Sequence, residues 1–275
     1  MTRLRSVLFM PASNLRAIAK ARDLPCDAVI FDLEDAVAPE AKAVARAQAV
    51  AALRDGGFGD RPIVVRLNAF DTPWGLDDAA AVRGVATTVL LPKVTGPDDL
   101  ARARDALGPN IALWAMIETC AAVLALPALA AAAAAHRLGA LIAGTNDLAT
   151  EMRCRADAAR TPLLPGLSQI VVAARAAGIV ALDGVFNALA DADGLTAECR
   201  QGAMLGFDGK TLIHPMQIDA ANAAFGPTAA EIAWAEAVVA AFADPANADK
   251  GAIRLNGAMV ERLHFAQAEQ MLASR

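Results

Sequence analysis

The chain has 275 residues, 56% of them hydrophobic and 20% charged, with a net charge of −5. That length suits one large α/β domain or two small ones around a substantial core, and basic residues interspersed with a surplus of acids exclude a nucleic-acid-binding surface. Alanine inflates the apolar fraction: the longest uncharged stretch, residues 119–135, is mostly Ala and contains Pro127, which predicts a buried helix rather than a membrane span of about 20 strongly apolar residues.

The N-terminal Arg residues precede no long apolar segment, so no signal peptide is expected. Cys26, Cys120, Cys154 and Cys199 are far apart and lack zinc-site spacing. They are expected to be reduced thiols of a cytoplasmic protein.

Short apolar runs of strand length then recur, each ending near a charged residue or His. The first expected strand covers residues 6–10, with a helix over 13–22 capped by Ser13. Residues 29–31 precede Asp32 and Glu34, and a helix over 39–54 follows, with Pro39 in its first turn and Ala, Val and Gln spaced for one buried face. Residues 63–65 end at Arg66. Residues 88–91 precede Lys93 and a helix over 97–107. Residues 112–117 precede Glu118 and a helix over 119–137. Residues 138–143 precede Asp147, and a helix over 167–177 leads to a strand over 179–182 ahead of Asp183. A helix over 196–205 leads to the eighth strand, 209–213, before His214.

Strand alternating with helix predicts a parallel sheet. Eight repeats in this length predict a closed (β/α)8 TIM barrel over an open doubly wound sheet, and no GxGxxG opens the first βα turn. The strand ends of such a barrel converge on one pocket, so charges far apart in sequence can meet there. That pattern points to an enzyme. After His214 the pattern changes: a helix over 228–242, a loop of small and polar residues over 243–251, and a last helix from about Met259. The expected organisation is a catalytic barrel over residues 1–225 and a C-terminal helical extension over 226–275. The extension either covers the strand ends as a lid or packs on the barrel's outside.

Glu118 and Asp147, each following a strand, form the best candidate pair for a hard divalent cation, which takes oxygen ligands from one or two carboxylates plus waters and substrate. Helix capping for Asp147 and simple solvation for Glu118 are the alternatives. Arg66 can clamp a carboxylate or enolate oxygen in bidentate fashion, or pair structurally with Asp32 or Glu34. Asp32, Glu34 and Asp35 crowd one turn and call for nearby cations, for which Arg66 and Lys93 are the candidates. His214 suits a base or a structural hydrogen bond. No GxSxG and no P-loop is present.

Several segments together carry a family resemblance. They are Arg5-Ser-Val-Leu-Phe-Met-Pro11, Asp27-Ala-Val-Ile-Phe-Asp-Leu-Glu-Asp-Ala-Val37, Val65-Arg-Leu-Asn68, Leu91-Pro-Lys-Val94, Met116-Ile-Glu118, Gly144-Thr-Asn-Asp-Leu148, Ala176-Ala-Gly-Ile179 and Leu205-Gly-Phe-Asp-Gly-Lys-Thr-Leu-Ile-His-Pro-Met-Gln-Ile218. With these the chain resembles the citrate lyase beta-subunit family, which includes malyl-CoA lyases and belongs with the HpcH/HpaI aldolase-like enzymes. The resemblance implies a (β/α)8 barrel assembled as a homotrimer or hexamer. It implies Mg²⁺, with Mn²⁺ as a substitute, held by Glu118 and Asp147. Arg66 would bind substrate oxygens, with Asp147 and Leu148 also at the substrate and Asp32, Glu34 and Lys93 as a network beside Arg66. The implied substrate is a β-hydroxyacyl thioester of CoA, malyl-CoA-like or citryl-CoA-like, and the implied reaction is reversible Claisen-type cleavage to an α-keto acid and an acyl-CoA.

Three segments depart from the family pattern. A C-terminal Gly-x-Met-(Ile/Val)-Asp motif, whose acid a neighbouring subunit supplies, reads here Gly257-Ala-Met-Val-Glu261. Glu261 keeps the carboxylate on a longer arm, so the acid–base role passes to it, or it marks a relative that hydrolyses the thioester. Asn146 removes a negative charge common in the metal loop, and Gly166-Leu-Ser168 lacks an Arg common in relatives, so no CoA contact is assigned. Competing expectations are a malyl-CoA-type thioesterase, a citryl-thioester subunit needing a carrier-protein partner, and a metal-dependent aldolase on free acids.

Overall fold

The computed structural model describes residues 3–247 and 249–273. Its main unit, Leu4–Phe225, is a closed barrel of eight strands in sequence order. The strands are β1 (Ser6–Pro11), β2 (Ala28–Asp32), β3 (Ile63–Arg66), β4 (Thr88–Leu91), β5 (Ala112–Ile117), β6 (Leu138–Ala143), β7 (Val180–Asp183) and β8 (Gly209–Leu212). All neighbours pair in parallel, and β1 pairing with β8 closes the ring. The helices are α1 (Leu15–Ala21), α2 (Lys42–Asp55), α3 (Gly75–Val82), α4 (Pro97–Leu107), α5 (Cys120–His136), α6 (Thr145–Glu151), α7 (Leu164–Ala177), α8 (Ala192–Leu205) and α9 (Ile218–Ala224). The (β/α)8 barrel expected from the sequence is therefore the observed fold.

Two apolar layers hold it. Residues at alternate strand positions, among them Val7, Ile30, Val64, Leu90, Trp114, Met116, Ile142 and Leu182, fill the barrel's interior. Their neighbours Leu8, Val29, Phe31, Val65, Leu113 and Leu141 face outward and pack with Ala45, Ala49, Leu100, Leu126 and Ile170 of the helices. This two-residue alternation is the pleat of a strand buried on both faces. Closure depends on Gly209, where a Cβ would meet the Leu4 carbonyl oxygen at 1.8 Å.

A separate charged cluster lies on the outward side of β7 and β8. Arg160 Nη1 donates to Asp183 at 2.7 and 3.0 Å. Lys210 Nζ donates to Glu198 Oε1 at 2.6 Å and to the Gly184 carbonyl at 2.5 Å, and lies 3.4 Å from Asp183 Oδ2. Asp183 and Lys210 have no exposed surface. Burial works to raise the Asp183 pKa, but Lys210 and Arg160 pull it below its usual value.

Elements differ from expectation at several points. Asn14, not Ser13, caps α1, its side chain accepting the Ala17 N–H. Pro39 opens a 3₁₀ turn, Pro39–Ala41, ahead of α2. The second unit, from Gly226 on, contains α10 (Ala229–Ala243), β9 (Ala252–Leu255), β10 (Ala258–Glu261) and α11 (Arg262–Ala273). The last helix therefore begins at Arg262, and Met259 stands in a hairpin strand paired antiparallel with β9. Asn256 and Gly257, with φ of 50° and 84°, form its two-residue turn. The unit has its own core of Ala235, Val238, Phe242, Ile253, Val260 and Ala268. Among the described residues no helix is long and apolar enough to cross a membrane.

Removing one partner of the buried charge cluster strands the others. Lys210→Met is expected to destabilise the barrel by about 3–5 kcal/mol, read as a lower urea midpoint with an unchanged denaturant slope; an unchanged midpoint would refute a structural role for the cluster.

Candidate active site

Strand alternation decides which of the strand-end charges meet. Val7, Ile30, Val64 and Met116 face inward. Phe9, Asp32, Arg66 and Glu118, two positions further on, share that face at the carboxyl ends. They line one cavity of about 290 Å³ with Asn146, Asp147, Asn187 and Thr211. Asp183 follows the inward Leu182 and so turns outward, away from this cavity and into the Arg160–Lys210 cluster.

Asp32 and Arg66 are register partners at the ends of β2 and β3. Arg66 Nε donates to Asp32 Oδ1 at 2.7 Å and Nη2 to Oδ2 at 2.5 Å, a bidentate pair. The Asp32 carboxylate also accepts the N–H groups of Glu34 at 2.9 Å and Ala36 at 3.1 Å, so the turn itself fixes the acid. The Phe9 ring centre lies 4.8 Å from the guanidinium carbon. Burial works to lower the Arg66 pKa, but Asp32 above all, then Glu34 and Asp35, raise it, so the guanidinium is a permanent cation.

Behind the turn stands Lys42. Its ammonium donates to the carbonyls of Leu33 at 2.8 Å and Glu34 at 2.7 Å and to Asn68 Oδ1 at 2.7 Å. Asn68 Nδ2 in turn donates to Leu33 O and Asp78 Oδ2, and Arg46 holds the other oxygen of Asp78. This network, absent from the sequence reading, pins the turn that carries Asp32, Glu34 and Asp35. One signal for it existed: Lys42 interrupts the buried stripe Lys42, Ala45, Ala49, Ala52 of α2, and a lone Lys on a small-residue stripe needs polar partners.

Glu34 is nearly buried. Arg66 Nη1 lies 2.7 Å from its Oε2, yet off any hydrogen-bond direction, and that oxygen has no hydrogen-bond partner. Burial, reinforced by Asp35, Glu118 and Asp32, outweighs the attraction of Arg66 and pushes the Glu34 carboxyl up to about 8.

Glu118 follows β5 and is 1% exposed. Its Oε1 accepts the Lys93 N–H at 2.7 Å, while its Oε2 is buried without a hydrogen-bond partner. Burial raises its pKa against the pull of Lys93. Gly144, at the end of β6, leaves the room Glu118 occupies: a Cβ there would lie 2.2 Å from Glu118 Cβ and 2.8 Å from Oε2. Asp147 stands in the first turn of α6, half exposed, with Lys93 Nζ 2.7 Å from its Oδ1 and 3.6 Å from Glu118 Oε1. Burial works to lower the Lys93 pKa, but Asp147 and Glu118 raise it.

A Mg²⁺ ion needs a few carboxylate oxygens and completes its shell with water and substrate. The orphaned Glu118 Oε2 and the exposed Asp147 carboxylate, both on the cavity wall, fit that need. No set of three or more His, Cys, Asp or Glu side chains among the described residues is placed to hold an ion, so the other positions would fall to water and substrate.

Two candidates stand apart from the cavity lining, and a third belongs to the C-terminal unit. Leu148 is 2% exposed within the core, and its N–H donates to Gly144 O, so it packs α6 rather than lining the cavity. His214 Nδ1 accepts the Met216 N–H, the structural alternative considered for it. Glu261 ends β10 in the C-terminal unit with its side chain exposed, its N–H donating to His264 Nδ1 at 2.9 Å.

Comparisons with known proteins agree with this geometry. The model of the HpcH/HpaI aldolase/citrate lyase family matches residues 5–215. A (3S)-malyl-CoA thioesterase of Cereibacter sphaeroides is 46% identical over 271 residues, 98% of this chain and 93% of that protein. The citrate lyase subunit beta of Escherichia coli is 35% identical over 266 residues, 94% of this chain and 88% of that one. A CitE protein of Mycobacterium tuberculosis, solved with magnesium, acetoacetate and coenzyme A, superposes with a TM-score of 0.75 at 32% identity, covering 98% of this chain and 97% of that one. The chain belongs to the HpcH/HpaI aldolase/citrate lyase family and is an enzyme of its carbon–carbon lyase type.

Gly144→Ala is expected to displace Glu118 and lower turnover by roughly 100-fold or more, with the circular dichroism spectrum unchanged; near-normal turnover would show that Glu118 need not stand where it does. Glu34 gives a pH signature. Its folded value of about 8 lies above the ordinary glutamate value of 4.5, so between these the native chain holds a proton that the unfolded chain has lost, and stability falls as pH rises. In urea titrations from about pH 5 to pH 8, wild type should lose stability relative to Glu34→Gln; parallel curves would refute a protonated Glu34.

Proposed function

We propose that the chain is a Mg²⁺-dependent lyase acting on a malyl-type β-hydroxyacyl-CoA thioester. It would cleave the carbon–carbon bond between the hydroxyl-bearing carbon and the thioester's α-carbon, giving an α-keto acid and a short acyl-CoA. The observation that carries this reading is the buried, partnerless Oε2 of Glu118, a residue that lines one cavity with Asp147 and a locked Arg66. Support comes from the relatives, which are named for malyl-CoA and citrate, and from the CitE structure holding magnesium and coenzyme A.

Glu118 and Asp147 are the proposed metal ligands. Bound there, Mg²⁺ would act as a Lewis acid toward the keto acid's oxygens. Arg66 has Nε and Nη2 committed to Asp32 and Nη1 beside Glu34 and Asp35, and as a cation on the cavity wall it would stabilise an enolate oxygen of the departing acyl thioester. Asp32 holds the guanidinium in place. Glu34, carrying its proton at neutral pH, adds no negative charge beside that developing oxyanion. Glu261 is the proposed acid–base group that takes the hydroxyl proton and returns one to the α-carbon. A homotrimer or hexamer is the proposed assembly, and a carrier protein in place of CoA would fit the citrate lyase likeness.

A second reading, hydrolysis of the same thioester, is favoured by the 46% identity to a malyl-CoA thioesterase over nearly the whole chain. Product analysis with malyl-CoA and Mg²⁺ separates the two. Glyoxylate plus acetyl-CoA is expected; malate plus free CoA would replace the lyase with a hydrolase. Turnover that survives both EDTA and Glu118→Ala would remove the metal from either.

A further inference from the structure

Lys93 stands where the two candidate metal-binding carboxylates converge. Its ammonium is 2.7 Å from Asp147 Oδ1 and 3.6 Å from Glu118 Oε1, and its backbone N–H donates to the same Glu118 oxygen. A divalent cation held by these carboxylates draws on the charge that the ammonium already neutralises. Two cations a few ångströms apart repel by several kcal/mol even at an effective dielectric of about 20. The ammonium at its present place and a dication on these carboxylates therefore compete for the same negative charge.

The side chain is 35% exposed, and Lys93 lines a second cavity of about 170 Å³ together with Asn68, Asp71, Thr95, Asp99 and Arg102. Asp99 Oδ2 there already accepts from Thr95 and Gly96, but a flexible four-carbon stem leaves the ammonium free to shift off Asp147. The backbone anchor need not move, because the N–H to Glu118 bond is independent of where the ammonium points.

We propose that Lys93 is a built-in counter-cation of the Glu118–Asp147 pair, competing with a divalent ion for its negative charge, and that it thereby holds down the enzyme's affinity for free Mg²⁺. This rests on the magnesium reading above. An anionic substrate supplies the negative charge that lets both cations stay, so the ion is bound tightly only together with substrate. Lys93 is a positioning residue in this scheme, acting on the ion rather than on the reacting atoms.

The test is calorimetric titration of the full chain with MgCl₂, paired with thermal melts in EDTA and in excess Mg²⁺. Lys93→Met keeps the backbone N–H and removes the charge; Lys93→Arg keeps a cation; Lys93→Gln serves where the Met variant does not fold. The Met or Gln variant is expected to bind Mg²⁺ at least about tenfold more tightly than wild type, to melt lower in EDTA and to gain more from Mg²⁺. The Arg variant is expected to stay near wild type. Equal or weaker Mg²⁺ binding by the neutral variants, with wild type binding measurably, overturns the counter-cation. Binding heat absent from wild type and every variant overturns the magnesium reading itself, and the proposal with it.

Discussion

The Asp32–Arg66 pair is the constraint on which the site depends. It is formed by the last residues of two adjacent parallel strands in register, so the barrel's own hydrogen bonding sets the distance between the charges. A buried ion pair recovers its desolvation cost only with good geometry and with its other donors and acceptors satisfied. Here the Asp32 carboxylate takes two Arg66 N–H groups and two turn amides, and Phe9 covers a face of the guanidinium. Such an arrangement contributes little net stability, but it allows Arg66 one orientation. A long side chain that would lose much rotamer freedom on meeting a substrate has lost it on folding instead.

Around that pair the site holds more acids than cations: Asp32, Glu34, Asp35, Glu118 and Asp147 against Arg66 and Lys93, with Lys42 behind. The excess is relieved in two physically different ways. Glu34, buried and ringed by Asp35, Glu118 and Asp32, has its carboxyl pushed up to about 8. Asp147, near the solvent, takes Lys93 as its partner. Glu118, more buried than Glu34, has one oxygen satisfied by a backbone N–H and the other without a hydrogen-bond partner. The difference between the three carboxylates follows their neighbours, not residue type.

Much of this was legible in the sequence. Eight apolar runs, seven of them with a charged residue or His at the end, pointed to the barrel, because strand length and the strand-to-helix rhythm are local properties. Which charges face the cavity was legible only by parity: Asp32, Arg66 and Glu118 share the inward phase, whereas Asp183 is one residue out of phase and faces the helices. Lys42, Asn68 and Asp78 escaped notice because their side chains meet across 26 and 10 positions of sequence and bond besides to the backbone of the β2 turn, contacts that no local pattern records. Gly144 escaped for a related reason, since its requirement is the absence of a Cβ next to a distant Glu118. The hairpin at residues 252–261 begins after the expected loop, 243–251, and runs past the expected start of the last helix at about Met259; its strands are four residues each, too short for alternation to outweigh the helical pattern that follows.

Both proposed outcomes, carbon–carbon cleavage and thioester hydrolysis, begin from this same frame. A thioesterase aligns with 98% of the chain and a citrate lyase subunit with 94%, so a barrel of this kind serves either chemistry. The two reactions differ in the atom that loses a proton: the substrate hydroxyl for cleavage, a water molecule for hydrolysis. The barrel side of the site offers little for that task, since Glu34 is protonated, Asp32 is fully occupied by Arg66, and Glu118 and Asp147 are the candidate metal ligands. Under the proposed function that proton falls to a group outside this set, and Glu261, a Glu where the family motif has Asp, is the proposed one. One extra methylene lengthens the arm by roughly an ångström, and a misplacement of that size can cost on the order of 100-fold in rate.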